Sequence, residues 1–272
     1  MGTGQVRLGD LRVRRIGYGA MKLTGWPRGE APARDTALAV LRRAVELGVN
    51  HLDTSDYYAR DGVAANELIR SALYPYPADL VIVTKVVALV ESAAGAGLRR
   101  AVEGNLRSLG VDRLDVVNLR LGDRGRPEVP LEQALEALEA LRAEGLIRHL
   151  GISNATAGQV ARARTAAGIV CVQNRYNVAE RADDPLVDAC AAAGIAYVPY
   201  FPVGGFTPLA GAALSAVAAR HGATVPQVAL AWLLARSPNI ALIPGTGSPA
   251  HLEENVAAGA LELSAEDLSR LS

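Results

Sequence analysis

Thr36-Ala-Leu-Ala-Val-Leu-Arg-Arg-Ala-Val-Glu-Leu-Gly-Val-Asn-His-Leu-Asp53 decides the fold. Thr36 to Leu47 carries apolar side chains at helical spacing, and Gly48 is placed to take the left-handed conformation that ends a helix. Asn50 to Asp53 then reads as a short strand. A helix that closes on glycine and feeds directly into a strand is half of a βα repeat, and such repeats build parallel sheets.

The same unit recurs along the chain. Further strands are predicted at Ile16 to Gly19, Leu80 to Lys85, Leu114 to Arg120, Ile147 to Ile152, Ile169 to Gln173, Ile195 to Pro199 and Ile240 to Pro244. Helical stretches between them include Leu98 to Leu109, Leu131 to Glu144, Gly158 to Ala167, Pro185 to Ala193 and Pro226 to Ala235. Gly110, Gly145, Gly168 and Gly194 sit where helices should end. With the Asn50 strand this makes eight βα units, the pattern of a (β/α)8 TIM barrel, expected as a single domain over residues 1–272. An open doubly wound sheet is the alternative. It usually begins with a Gly-rich fingerprint after its first strand, which Gly17-Tyr-Gly-Ala-Met does not supply.

Ahead of the first unit, Val6-Arg-Leu-Gly-Asp-Leu-Arg-Val reads as a short N-terminal β-hairpin turning at Gly9-Asp10, placed to plug the barrel floor. Gly122-Asp-Arg-Gly-Arg-Pro and Phe201-Pro-Val-Gly-Gly-Phe-Thr-Pro read as loops after strands four and seven.

Composition narrows the function. Half of the 272 residues are apolar, and 28 Lys and Arg balance 28 Asp and Glu, so nothing marks a nucleic-acid or anionic-membrane partner. The start, Met1-Gly-Thr-Gly-Gln-Val-Arg, has no signal-peptide core, and Val6 stands where a myristoylation site needs Ser or Thr. No apolar run is long enough to span a bilayer, so a cytoplasmic location is expected. Cys171 and Cys190 are read as buried and reduced. The only lysines are Lys22 and Lys85.

Active sites of α/β barrels lie at the C-terminal ends of the strands. The residues there are polar in succession: Asp53, Lys85, Asn118 and Arg120, Ser153-Asn154, Gln173-Asn174 and Tyr200. Lys85 ends an apolar strand, where an unpaired ammonium would be costly, and Asp53 can be its counterion. A buried cation beside a phenol lowers the phenol pKa and makes it a better proton donor, and Tyr58 can reach that position. Each residue alone also has an ordinary reading. The Asp and Lys could be a structural ion pair, the Tyr a packing residue, Gln173 a rim residue, and Ser153-Asn154 a helix cap before Ala155.

Taken together, these residues resemble the aldo-keto reductases, from about Ile16 to Leu271. Gly48-Val-Asn-His-Leu-Asp-Thr-Ser-Asp-Tyr-Tyr resembles the family segment carrying its Asp and, five residues on, its catalytic Tyr; Val83-Thr-Lys resembles the segment of the catalytic Lys. The resemblance implies Tyr58 as general acid, Lys85 as its tuner and Asp53 as the orienting counterion. It implies NADPH as cofactor and hydride source, with Ser153, Asn154 and Gln173 on the carboxamide and Tyr200 stacked on the nicotinamide ring. Gly19, Ala20 and Met21 would also line the cofactor site. Ile243-Pro-Gly-Thr and Leu252-Glu-Glu-Asn-Val resemble the adenosine-binding loop and helix, carrying over Gly245, Thr246, Ser248, Glu254 and Asn255.

Two departures stand out. Arg120 falls where the family usually has His, and it is assigned to the catalytic set as a fixed charge that holds a substrate oxygen without relaying protons; the alternative is that it pairs with a loop carboxylate such as Asp123 and faces away. His251 falls where an Arg usually grips the cofactor's second phosphate, so NADPH should be preferred over NADH by a reduced, pH-dependent margin. The long C-terminal loop of many members does not follow Asp267-Leu-Ser-Arg-Leu, which implies an open, permissive pocket. The expected activity is reduction of an aldehyde or ketone, a small-molecule substrate, to an alcohol. The alternative is a cofactor-binding sensor or accessory subunit with vestigial turnover. No metal site, oligomeric state or particular substrate is indicated.

Overall fold

A computed structural model describes residues 4–87, 95–122 and 130–271. Its core is a seven-stranded parallel sheet made of β3 (Tyr18–Gly19), β4 (His51–Asp53), β7 (Val81–Val87), β8 (Leu114–Arg120), β9 (Ile147–Ser153), β10 (Cys171–Gln173) and β11 (Ala196–Tyr197). Strand order follows chain order, as right-handed βα units require. The predicted eighth strand appears as single bridges instead of a ladder. Ile240 pairs with Tyr197 and Leu242 with Ile16, and Leu242 N donates to Arg15 O at 2.7 Å. These contacts close the sheet into a barrel. Gly19 and Gly245 bring the two backbones close at this seam; a Cβ on Gly245 would stand 2.5 Å from Gly19 O.

The outer helices are α1 (Arg34–Glu46), α2 (Ala65–Leu73), α3 (Ala96–Leu109), α4 (Leu131–Ala143), α5 (Ala157–Ala167), α6 (Asp184–Ala192), α7 (Ala212–His221), α8 (Val225–Arg236), α9 (Pro249–Ala257) and α10 (Ala265–Arg270). The five predicted closing glycines, Gly48 among them, all have positive φ. Sequence reading passed over α2 and α7. The helix α5 is capped by Thr156, whose side chain accepts from Gln159 N while the Gln159 side chain accepts from Thr156 N. Ser153 and Asn154 are therefore not the cap.

The hairpin of β1 (Gln5–Leu8) and β2 (Leu11–Arg14) turns at Gly9-Asp10 as expected. Val6, Leu8 and Val13 pack with Val81, Val83, Val116, Cys171, Ala196, Val198, Ala241 and Ile243, one apolar cluster formed by alternate residues of the barrel strands. By the two-residue period of a strand, these point into the lumen. The hairpin is the plug the sequence suggested. A second, larger cluster lies between the sheet and the helices. A small hairpin, β5 (Ala59–Arg60) with β6 (Val63–Ala64), follows Tyr58. The predicted loop beginning at Gly122 lies, beyond that residue, outside the described residues.

Candidate active site

Strand register assembles the site. Asp53 pairs with Val83 and Lys85 with Asn118, so Asp53 and Lys85 enter the upper lumen from adjacent strands. Lys85 Nζ donates to Asp53 Oδ2 at 2.5 Å and to Thr54 O at 3.0 Å. Both side chains are almost fully buried, 2% and 4% exposed. At that depth an uncompensated charge would cost several kcal/mol, so the pair is a fixed unit rather than an adjustable surface contact. The other carboxylate oxygen, Oδ1, accepts from Gln173 Nε2 at 2.7 Å, linking the ion pair to β10.

Tyr58 follows Asp53 in a turn closed by Tyr58 N donating to Ser55 O at 3.2 Å. Its ring lies over Lys85, with Nζ 4.9 Å from the centroid, and packs on Trp26 and Tyr57 at 5.2 Å each. The sequence expectation that Lys85 lowers the Tyr58 pKa is not met. Burial pushes this phenol well above its ordinary value, the Asp53 carboxylate pushes the same way, and Arg120 opposes them. Tyr58 is consequently a neutral phenol, ready to donate. Tyr57 is also pushed up, to about 12, mainly by burial and against the fields of Lys85 and Arg120.

Arg120 ends β8 beside Ser153 of β9, and its guanidinium stands 5.9 Å from the Tyr200 ring centroid. Tyr200 in turn donates its hydroxyl to Asn154 Oδ1 at 2.6 Å, and Asn154 holds φ at 60°. Ser153 and Gln173 are register partners on neighbouring strands. Ser153 Oγ and Gln173 Oε1 are both buried without a hydrogen-bond partner. Such groups are rare, since each costs about 1–3 kcal/mol when unmet. A primary carboxamide, with one acceptor and two donors, satisfies both. The residues present therefore fit a nicotinamide head group.

Farther along, Gly245 approaches the Gly19 backbone, and Tyr18 donates its hydroxyl to Thr246 O at 2.6 Å. Ser248 caps α9, its hydroxyl accepting from His251 N, and Thr246 Oγ1 accepts from Ser248 N at 3.0 Å. His251 is exposed on the first turn, Glu254 is half-buried and Asn255 is buried. Asn174 is committed elsewhere, to Ala155 and Asp183.

Some neighbours were missed from sequence. Trp26 completes the aromatic wall, and Phe206 from the loop after β11 is held between Lys22 at 4.6 Å and Arg28 at 4.7 Å. His51, two residues back from Asp53 on the same face of β4, is fully buried, a placement that counting along the strand would have found; Asn118, already read near the end of its strand, is the register partner of Lys85. Among the described residues no cluster of His, Cys, Asp or Glu could hold a metal.

A model of the aldo/keto reductase family matches residues 15–272. The chain belongs to this family. Pyridoxine 4-dehydrogenase of Escherichia coli is 54% identical over 283 residues, covering 100% of this chain and 98% of that protein. Among solved structures, a thermostable aldo-keto reductase bound to the inhibitor epalrestat superposes with a TM-score of 0.86 at 30% identity, over 98% of both chains. An aldo-keto reductase from Klebsiella pneumoniae in complex with NADPH gives a TM-score of 0.85 at 31% identity, covering 100% of this chain and 94% of that one. This aldo-keto reductase is an NAD(P)H-dependent oxidoreductase that reduces aldehydes or ketones to alcohols. Among its described residues no helix is long and apolar enough to cross a membrane.

Proposed function

We propose that the enzyme is a single domain over residues 1–272, working in the cytoplasm, and that it interconverts pyridoxal and pyridoxine with NADPH as the preferred cofactor. The substrate follows the relative that is 54% identical over the whole chain. The chemistry rests on one observation, the buried Asp53–Lys85 pair directly under the Tyr58 ring.

A bound nicotinamide would supply the hydride; Ser153, Asn154 and Gln173 would hold its carboxamide, and Tyr200 would cover one ring face. Tyr58 transfers its proton to the carbonyl oxygen as charge develops there, so the aldehyde gains hydride and proton to become the alcohol. Lys85 stabilises the phenolate that Tyr58 leaves behind, and Asp53 keeps Lys85 both charged and aimed. Arg120 adds a second fixed positive charge near the reacting oxygen. Thr246, Ser248, His251, Glu254 and Asn255, with Gly19 to Met21 and Gly245, hold the rest of the cofactor.

The test is oxidation of NADPH with pyridoxal, followed by loss of absorbance of the reduced nicotinamide and by identification of the alcohol. Steady turnover to pyridoxine supports the assignment. Turnover of other aldehydes but not pyridoxal overturns the substrate, and absence of turnover with any carbonyl leaves a cofactor-binding accessory protein.

A further inference from the structure

Arg120 closes β8 at the upper rim of the lumen, next to Ser153, and faces the Tyr200 ring at 5.9 Å. Tyr58, Tyr57 and Trp26 are packed on one another at 5.2 to 5.5 Å between centroids, with the Tyr58 ring over Lys85. The Tyr57 hydroxyl is buried within this group. Arg120 lies two residues beyond Asn118, the register partner of Lys85, so its side chain leaves the same face of the barrel one step above the ion pair that underlies Tyr58. A guanidinium stays ionised at any working pH, so it serves no acid–base step here. Its forked donors are suited to holding an oxygen, most strongly an anionic one.

We propose that Arg120, together with the Tyr57 hydroxyl, recognises a hydroxyl or phenolate oxygen on the ring carbon next to the one bearing the reacting carbonyl, so that the enzyme selects ortho-hydroxy aromatic aldehydes. In a planar ortho-hydroxy aldehyde whose formyl oxygen is turned toward the hydroxyl, both oxygens lie on one edge of the molecule. Tyr58 takes the formyl oxygen and Arg120 takes its neighbour. Trp26 and Tyr57 offer the flat apolar contact an aromatic ring needs. Two donors on two oxygens also fix the plane of the carbonyl, which orients its face toward the cofactor. The inference deepens the pyridoxal assignment, since the 3-hydroxyl of pyridoxal is ortho to its 4-formyl group, but it extends to the whole class.

The experiment compares kcat/KM for salicylaldehyde, 4-hydroxybenzaldehyde and benzaldehyde, and for pyridoxal against pyridine-4-carbaldehyde, in wild type, Arg120→Met, Arg120→Lys and Tyr57→Phe. The para isomer controls for the electronic effect of the hydroxyl. A charge-assisted hydrogen bond in a desolvated site is worth about tenfold or more, so wild type should favour the ortho isomer over the para by at least about tenfold. Arg120→Met should bring that ratio close to one, with Arg120→Lys and Tyr57→Phe in between. NADPH binding, read by quenching of protein fluorescence, confirms that each variant is folded and loaded. Should Arg120→Met fail to bind, the graded loss in the two milder variants carries the test. A wild-type ratio near one, or a ratio unchanged in loaded Arg120→Met or in both milder variants, overturns the inference. Salicylaldehyde selectivity without turnover of pyridoxal upholds it and refutes only the pyridoxal assignment. Pyridoxal and pyridine-4-carbaldehyde reduced equally well by wild type overturns it and leaves that assignment standing.

Discussion

Replacing the two members of the buried ion pair separately and together distinguishes what they do for the fold from what they do for the reaction. Lys85 Nζ has two acceptors, Asp53 Oδ2 at 2.5 Å and Thr54 O at 3.0 Å, and is 2% exposed. Asp53→Asn leaves the ammonium facing an amide and a carbonyl; Lys85→Met leaves the carboxylate with only the amide of Gln173 at 2.7 Å. Stranding either charge should cost about 3–5 kcal/mol. At about 2–4 °C per kcal/mol for a chain approaching this size, each single variant should lose at least about 6 °C in Tm. The double variant buries no charge, and its neutral amide can still accept from Gln173. It should be more stable than either single variant, with a coupling free energy of about 3 kcal/mol by denaturant titration. Turnover should not recover in the double variant, because it lacks the Lys85 charge that stabilises the Tyr58 phenolate, and its kcat should stay at least about 100-fold below wild type. Additivity of the two stability losses within about 0.5 kcal/mol would refute the paired-charge reasoning. A double variant with restored kcat would refute the catalytic role.

Three further outcomes follow. Tyr58→Phe should lower kcat at least about 100-fold while the Kd for NADPH, from fluorescence quenching, stays within about twofold, since only the proton donor is removed. His251→Ala should lower the preference for NADPH over NADH, measured as the ratio of kcat/KM values; an unchanged ratio would remove His251 from the phosphate site. Burial pushes His51 down to about 4 from an ordinary 6.5, so between those values the unfolded chain binds a proton that the folded chain does not. Stability from this group is therefore complete above about pH 7 and falls by about 2 kcal/mol on going to pH 5, at 1.36 kcal/mol per pH unit. His51→Leu should remove that part of the slope in urea titrations at the two pH values, and identical slopes would place His51 in contact with water.

The barrel was legible because its punctuation is local. A glycine such as Gly48 or Gly110 ends a helix through its own backbone freedom, and a β-branched run such as Leu80 to Thr84 marks a strand without reference to its neighbours. Asp53, Lys85, Ser153, Gln173 and Tyr200 were legible for the same reason, since strand ends in this architecture converge. What stayed hidden depends on distant chain segments. Trp26 precedes a proline in an irregular stretch, and only the closed barrel brings it to 5.2 Å from Tyr58. The close approach of Gly19 and Gly245, two residues far apart in sequence, exists only once the barrel has closed. The direction of the Tyr58 pKa was misjudged because charge partners can be guessed from residue types, whereas the burial that outweighs them is a property of the folded pocket.

The lumen is graded from floor to rim, and the grading has a consequence for catalysis. Val6, Leu8 and Val13 of the hairpin seal the floor against an apolar layer that includes Val81, Val83 and Val116. Above that layer Asn118 accepts from the Cys171 thiol at 3.2 Å, in space that exists because residue 151 is glycine; a Cβ there would come within 2.1 Å of Asn118 Oδ1. The charges Asp53, Lys85 and Arg120 come last, at the strand ends. Water cannot reach the ion pair from below, so its field is screened mainly by whatever lies above it. Seating a cofactor and an aromatic substrate over that rim removes the remaining solvent, and the attraction of Lys85 and Arg120 for a developing phenolate then rises as the local dielectric falls. The hairpin, although distant from the chemistry, thereby helps set the strength of the field at Tyr58.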